Sequence, residues 1–172
     1  MKYFLSVLSL FIITAVVAQD NRGYDVKVGD MAPDFEILYQ NGTKKKLSSL
    51  RGKVVMLQFT ASWCSVCIKE MPHIESDIWQ KYKNRNDFAL LGVGYKEPKE
   101  KLNELQSKTK ITYPLTLDQS GEIFHKYAEK GAGVTRNVIV DKTGKIIFLT
   151  RLFDTDEFEQ MKNVISKELN KK

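Results

Sequence analysis

The sequence predicts an α/β domain: a central mixed β-sheet flanked by helices, with an extra N-terminal β-hairpin. Three observations carry this. Residues 53–60 and 88–95 are nearly continuous apolar runs of strand length, the pattern of strands covered on both faces. Segments of helical period, 65–83, 99–108 and 155–169, alternate with those runs. Two further strand runs, 134–140 and 146–150, are joined by Asp141-Lys142-Thr143-Gly144, a tight turn that makes them antiparallel. Alternating strands and helices favour parallel pairing, and the closing hairpin adds antiparallel pairing. The sheet is therefore expected to be mixed, with helices on both faces.

Lys2 precedes an almost wholly apolar stretch from Tyr3 to Val17, and Val16-Val17-Ala18 presents small residues before polar Gln19-Asp20, the form of a cleaved secretory leader over 1–18. The alternative is a retained anchor, for which the run is short of the ~20 residues that a spanning helix needs. No Cys lies near the cleavage point, which argues against a lipoprotein. Residues 19–28 read as a linker and 29–172 as the domain. Phe35–Tyr39 and Thr43–Leu47 flank Asn41-Gly42, a strong hairpin turn, and Lys44-Lys45-Lys46 reads as an exposed edge strand guarded by charge. Residues 115–117 suit a short strand and 120–127 a short helix. In the closing helix the apolar positions are Phe158, Met161, Val164, Ile165 and Leu169.

A chain of 172 residues that is 42% apolar can bury one sizeable core. Its net charge of +6, or one less once Lys2 leaves with the leader, comes from lysines interspersed with acids, as in Lys96-Glu97-Pro98-Lys99-Glu100-Lys101. That is a solvated surface, not a nucleic-acid footprint. The expected product is a monomer in the periplasm or cell envelope, with no stable membrane insertion after cleavage.

Only two cysteines are present, Cys64 and Cys67. A secreted domain stapled for stability carries several pairs, and a bridge across so small a ring removes little unfolded-state entropy. Disulfide exchange explains the pair better. It needs one thiol that is ionised at working pH and a second that resolves the mixed disulfide. The tetrad falls where strand 53–60 runs into helix 65–83. Cys64 then sits at the helix start, where free N–H groups and the dipole favour a thiolate, and Cys67 lies one turn on and deeper. Cys64 is read as the attacking thiol and Cys67 as the resolving one. Half a zinc site has the same spacing, but four-ligand zinc needs further ligands, and only His73 and His125 remain. Both read as bystanders, and no metal or cofactor is expected.

Trp63 either shields the thiolate and offers apolar surface to a partner chain or is an ordinary core aromatic. Glu70, three after Cys67, falls on the inner side of the helix beneath the pair. There desolvation raises its pKa and suits it to accept the Cys67 proton; an exposed helical Glu is the bland alternative. Pro72 removes one helical hydrogen bond and predicts a kink.

Several stretches resemble, in order, the TlpA/ResA group of thioredoxin-like proteins in the AhpC/TSA–redoxin superfamily. They are Ala32-Pro33-Asp34-Phe35, Leu50-Arg51-Gly52-Lys53-Val54-Val55, Phe59, Trp63-Cys64-Ser65-Val66-Cys67-Ile68-Lys69-Glu70-Met71-Pro72 and Val138-Ile139-Val140-Asp141-Lys142-Thr143-Gly144-Lys145. The resemblance spans roughly 29–169. It implies a thioredoxin fold with an added hairpin and an inserted strand–helix, export to the cell envelope, and protein disulfide reduction fed by a protein electron donor. It also implies a proton-handling role for Glu70. Such proteins carry a cis-proline facing the cysteines where this chain has Thr135, in Gly133-Val134-Thr135-Arg136-Asn137. A non-proline cis bond costs about 2.5–4 kcal/mol, so Val134–Thr135 is expected trans or strained. Val134 and Thr135 remain, with Trp63, the expected substrate-binding residues; the Thr135 hydroxyl either hydrogen-bonds the Cys64 thiolate or simply reshapes the groove.

Two other readings stay open. Peroxiredoxins of the wider family lack that proline and carry an Arg in the region of Arg136, which suggests a thiol peroxidase. Against it, Thr60 is one position out of the Pro-x-x-x-Thr-x-x-Cys frame and the Pro is missing. A non-catalytic thioredoxin-like domain that binds a partner or handles metal is the third.

Overall fold

The computed structural model describes residues 22–171. The expected leader and the first residues of the expected linker lie outside the described residues. Among the described residues seven strands form one sheet: β1 (Glu36–Tyr39), β2 (Lys44–Lys46), β3 (Val54–Thr60), β4 (Phe88–Tyr95), β5 (Leu115–Asp118), β6 (Arg136–Val140) and β7 (Ile146–Arg151), in the order β2-β1-β5-β4-β3-β6-β7. β3 pairs parallel with β4, and β4 with β5; the remaining pairings are antiparallel. The helices are α1 (Ser65–Ile74), α2 (Gln80–Tyr82), α3 (Lys99–Thr109) and α4 (Thr155–Leu169). The three lysines of β2 are all exposed at the sheet's edge.

Interior strand β3 is buried along its whole length, as its nearly continuous apolar run demands. Its side chains alternate: Val54 and Met56 join one core, Val55, Leu57 and Phe59 the other. The first core also holds Met71, Ile74, Leu102, Leu105, Phe158, Met161 and Ile165, so α1, α3 and α4 share one face of the sheet. This corrects the expectation of helices on both faces. Glycines make the close packing feasible, since a Cβ on Gly94 would lie 2.5 Å from the Leu102 side chain. The opposite face is closed by a 3₁₀ turn at Leu47–Leu50 and by aromatic rings, Phe59 meeting Phe124 at 5.5 Å and Tyr127 at 5.4 Å. Residues 22–35 complete it. Arg22 pairs with Glu157, Tyr24 bridges to Ala128, and the Asp25 amide donates to the Tyr127 carbonyl at 3.0 Å. From Arg22 onward the expected linker is thus docked on the domain.

Pro72 leaves α1 intact as far as Ile74, after which Glu75–Trp79 forms a π-helical turn before α2. A proline inside a helix costs about 3 kcal/mol. Fully burying Met71, Ile74 and Ile78 returns about 1.5–3 kcal/mol each, which keeps the helix together. Glu75 anchors the π turn, accepting from the Thr112 amide (2.7 Å) and hydroxyl (2.6 Å).

Two element boundaries differ from expectation by more than one residue. The helix expected over 120–127 is only a 3₁₀ turn, Phe124–Lys126, because the Asp118 carboxylate takes the amides of Ile123 and Phe124 at 3.1 and 2.9 Å. The strand expected from Val134 begins at Arg136, leaving Val134 and Thr135 in the loop that faces the cysteines.

Candidate active site

Strand β3 delivers the chain to the end of the sheet, and α1 starts there. Between them the Cys64 amide donates to the Ala61 carbonyl (3.1 Å), and Glu97, from the loop after β4, accepts from the Ser62 amide (2.7 Å) and hydroxyl. Two carboxylate bonds thus hold the residues leading into Trp63 and Cys64. Cys64 is the N-cap of α1, its sulfur accepting from the Cys67 amide at 3.1 Å. An N-cap sulfur lies where unpaired amides and the helix dipole favour negative charge. The two cysteines are joined as a disulfide with Cα atoms 5.3 Å apart; Cys64 keeps 7% of its surface exposed and Cys67 none. Trp63 is 65% exposed beside Cys64, so it is not a core aromatic.

Thr135 reaches both sulfurs. Its Oγ1 lies 3.1 Å from Cys64 Sγ and 3.3 Å from Cys67 Sγ. Its carbonyl accepts from the Leu152 amide at 3.1 Å, and there is no cis peptide bond among the described residues. Val134 and Thr135 are buried against the pair. Leu152 is exposed on the same rim with φ +65°, a left-handed conformation that a branched residue adopts only when its surroundings hold it there.

Beneath the pair, Glu70 is 2% exposed on the face of α1 that packs on the sheet. Register supplies its partners: Gln58 of β3 pairs with Asn137 of β6, and Asn137 with Thr150 of β7, so three polar side chains form a row across the sheet. Asn137 Nδ2 donates to Glu70 Oε1 at 2.6 Å and to Thr150 Oγ1 at 2.9 Å, and Gln58 Nε2 stands 3.5 Å from Glu70 Oε2. The Tyr113 hydroxyl donates to Gln58 Oε1 at 2.6 Å. Burial pushes the Glu70 carboxyl up to about 7, the amide donors only partly opposing it. A group that exchanges its proton near neutrality therefore lies one helical turn from Cys67.

The two histidines lie elsewhere: His73 stacks on Phe153 at 5.0 Å, and His125 contacts the Tyr95 hydroxyl at 3.3 Å. The Thr60 hydroxyl lies against Met71 Sδ (3.7 Å). Arg136 is fully buried with its guanidinium over the Tyr24 ring at 4.5 Å, donating to the Arg22 carbonyl at 2.8 Å. Among the described residues its Nε, like Asn137 Oδ1, has no partner.

A mixed sheet with a solvent-edge disulfide at the N-terminus of a helix defines a thioredoxin-fold protein with a redox-active cysteine pair. Residues 28–149 match the AhpC/TSA family, and the chain belongs to that family. It is 30% identical over 122 residues to thiol-disulfide oxidoreductase ResA of Geobacillus thermodenitrificans, covering 70% of this chain and 67% of that one. Against ResA of Bacillus thuringiensis it is 28% identical over 149 residues, 84% of each chain. Among solved structures, a candidate protein disulfide isomerase from Bacteroides thetaiotaomicron is 54% identical, with a TM-score of 0.84 over 87% of this chain and 94% of that one. The chain is a thiol–disulfide oxidoreductase built on Cys64 and Cys67.

Sequence reasoning does not reach Gln58, Asn137, Tyr113 or Glu97. A signal for Gln58 is present, since it is the one amide inside an otherwise apolar strand, Val-Val-Met-Leu-Gln-Phe. A fully buried Gln needs polar partners. Glu97 sits in a run of alternating charges and carries no such signal.

Proposed function

We propose that this chain is an exported reductase of protein disulfides, and the observation that carries the reading is the buried Glu70 one turn from Cys67. In the reduced enzyme the Cys64 thiolate attacks a substrate disulfide. A Cys64 mixed disulfide forms and one substrate thiolate leaves. Glu70, as the carboxylate, takes the proton from the Cys67 thiol. Cys67 then attacks Cys64 Sγ, the second substrate thiolate leaves, and the Cys64–Cys67 disulfide is the enzyme's oxidised product. Two electrons have passed to the substrate, and a protein dithiol returns the enzyme to its reduced form. No cofactor takes part.

Trp63, which is exposed, and Val134 and Thr135, which pack on the cysteine pair, frame Cys64 and serve as the docking surface for the substrate polypeptide. The Thr135 hydroxyl stands in hydrogen-bond range of the attacking sulfur and supports its thiolate. Thr135→Val is accordingly expected to raise the Cys64 thiol pKa in the reduced protein by about one unit. The pH dependence of iodoacetamide alkylation reads this directly, and an unmoved midpoint removes Thr135 from thiolate support.

The electron direction is tested by equilibrium with a glutathione buffer. A reduction potential near thioredoxin's, about −270 mV, is expected, whereas one near about −120 mV would make the protein an oxidant. The export reading, with a leader over 1–18 and release to the periplasm or cell envelope as a monomer, is tested by N-terminal sequencing. A chain beginning at Gln19 is expected, and one beginning at Met1 rules out cleavage. Peroxide is disfavoured as substrate because Thr60 contacts Met71 and Arg136 covers Tyr24, so neither is directed at Cys64 Sγ. Cys64-dependent consumption of hydrogen peroxide would reverse that preference.

A further inference from the structure

We propose that Tyr113 is a positioning residue whose hydroxyl holds the Gln58 amide with its NH₂ group toward Glu70, keeping Glu70 an acceptor of hydrogen bonds. For its consequence in turnover the inference rests on the reading of Glu70 as proton acceptor for Cys67.

The geometry is that of a clamp. Tyr113 is fully buried, and among the described residues its hydroxyl makes one hydrogen bond, to Gln58 Oε1 at 2.6 Å. Burial, with the nearby Glu70 and Glu75 carboxyls adding to it, holds the phenol protonated far above its ordinary range, so the group is a donor at every working pH. If the Gln58 amide turned over, its carbonyl would meet Glu70 and its NH₂ would meet the phenol oxygen. The phenol proton would then be buried without an acceptor, an unfavourable outcome. Gln58 is thereby fixed as a donor to Glu70. Asn137 is not fixed in this way. Among the described residues its Oδ1 has no partner, and the Thr150 hydroxyl beside it can donate as well as accept, so its amide can reverse and accept from a protonated Glu70. One neighbour of Glu70 accommodates both protonation states, and the other favours the carboxylate.

The segment carrying Tyr113 is well tethered. Thr112 is held by Glu75 through two hydrogen bonds, Gln106 Nε2 reaches the Tyr113 carbonyl at 3.4 Å, and the Pro114 carbonyl accepts from the Gly92 amide at 2.9 Å. The titratable groups bearing on Glu70 come from several elements. Tyr113 precedes β5, Glu157 of α4 is engaged by Arg22, and Cys67 lies one turn back on α1; His73, one turn on, is turned away onto Phe153. None of them duplicates the clamp.

The test is a ¹³C-carboxyl NMR titration of Glu70 in the oxidised protein, where no thiol titrates. Tyr113→Phe is expected to move the Glu70 midpoint up by about one pH unit. Gln58→Met, which releases the clamp from its other end, is expected to move it in the same direction. Tyr113→Phe placed on Gln58→Met is expected to add nothing. An unmoved midpoint in either single variant overturns the inference, as does a full second shift in the double variant, which would mean that Tyr113 acts without Gln58. Turnover against pH separates the two readings. If the acid limb follows the titration midpoint, both stand. A moved midpoint with an unmoved acid limb leaves the clamp standing and counts against Glu70 as the proton acceptor for Cys67.

Discussion

Cys67→Ser, reduced and mixed with a disulfide substrate, is expected to stop as a Cys64-linked mixed disulfide, its multiple turnover lowered by roughly 10³-fold or more. The chain has no other cysteine to take over resolution. Cys67 is fully buried, so an external thiol does not reach that position either. Serine keeps the volume and the Thr135 contact but does not ionise in this range, so the second displacement has no nucleophile. Cys64→Ser is the contrasting control, losing turnover without trapping anything. Mass spectrometry of the trapped species identifies what remains linked to Cys64. Continued multiple turnover by Cys67→Ser would sink the two-thiol mechanism.

Stability of the oxidised protein is expected to fall as pH rises between about 5 and 7, and Glu70→Gln to abolish that fall. In the folded chain Glu70 holds its proton up to about 7, against 4.5 for the unperturbed group. Between those values the folded state binds more protons than the unfolded state, so the unfolding free energy decreases with rising pH and levels off above the folded value. The loss amounts to roughly 3 kcal/mol, a large share of a domain's net stability. Gln at position 70 does not titrate, and the Asn137 amide can orient to suit it. Glu70→Gln should therefore match the parent near pH 5 and exceed it by up to that amount at pH 8. Urea denaturation at the two pH values measures the difference, and parallel pH dependence in both proteins would show that Glu70 is not the responsible group. The same burial that costs stability at neutral pH provides the proton acceptor in the proposed cycle.

These two residues differ in how far they can be read from the chain alone. The cysteine turn is legible because an apolar strand, a redox spacing and a helical period follow one another without a gap. Glu70 is legible as an inward residue from its spacing to Cys67. Its surroundings are not, since Asn137 and Gln58 become neighbours only through the antiparallel register of β6 on β3, a pairing between residues far apart in the chain. Tyr113 is further removed, entering from the segment before β5. The position of Thr135 follows from resemblance, but its contact with both sulfurs depends on a loop path that no local pattern specifies. For the same reason the π turn after Pro72 replaces the simple kink that proline suggests. On the sheet as a whole, periodicity finds the helices but does not assign them to faces. Here the crossover through α1 and that through α3 bring both helices to the side where α4 also packs.

The docking of residues 22–28 gives the molecule a polarity useful in handling it. Arg22 rests against Arg136 and Glu157, at the end of the sheet where Arg136 pairs with Phe59 and the cysteine turn begins. Leu169 lies at the other end, its carbonyl bonded to Arg85 just ahead of β4. An affinity tag, fusion partner or surface linkage joined after Leu169 sits at the end of the sheet away from the cysteine turn, so immobilised or fused forms of this enzyme are best joined through the C-terminal helix.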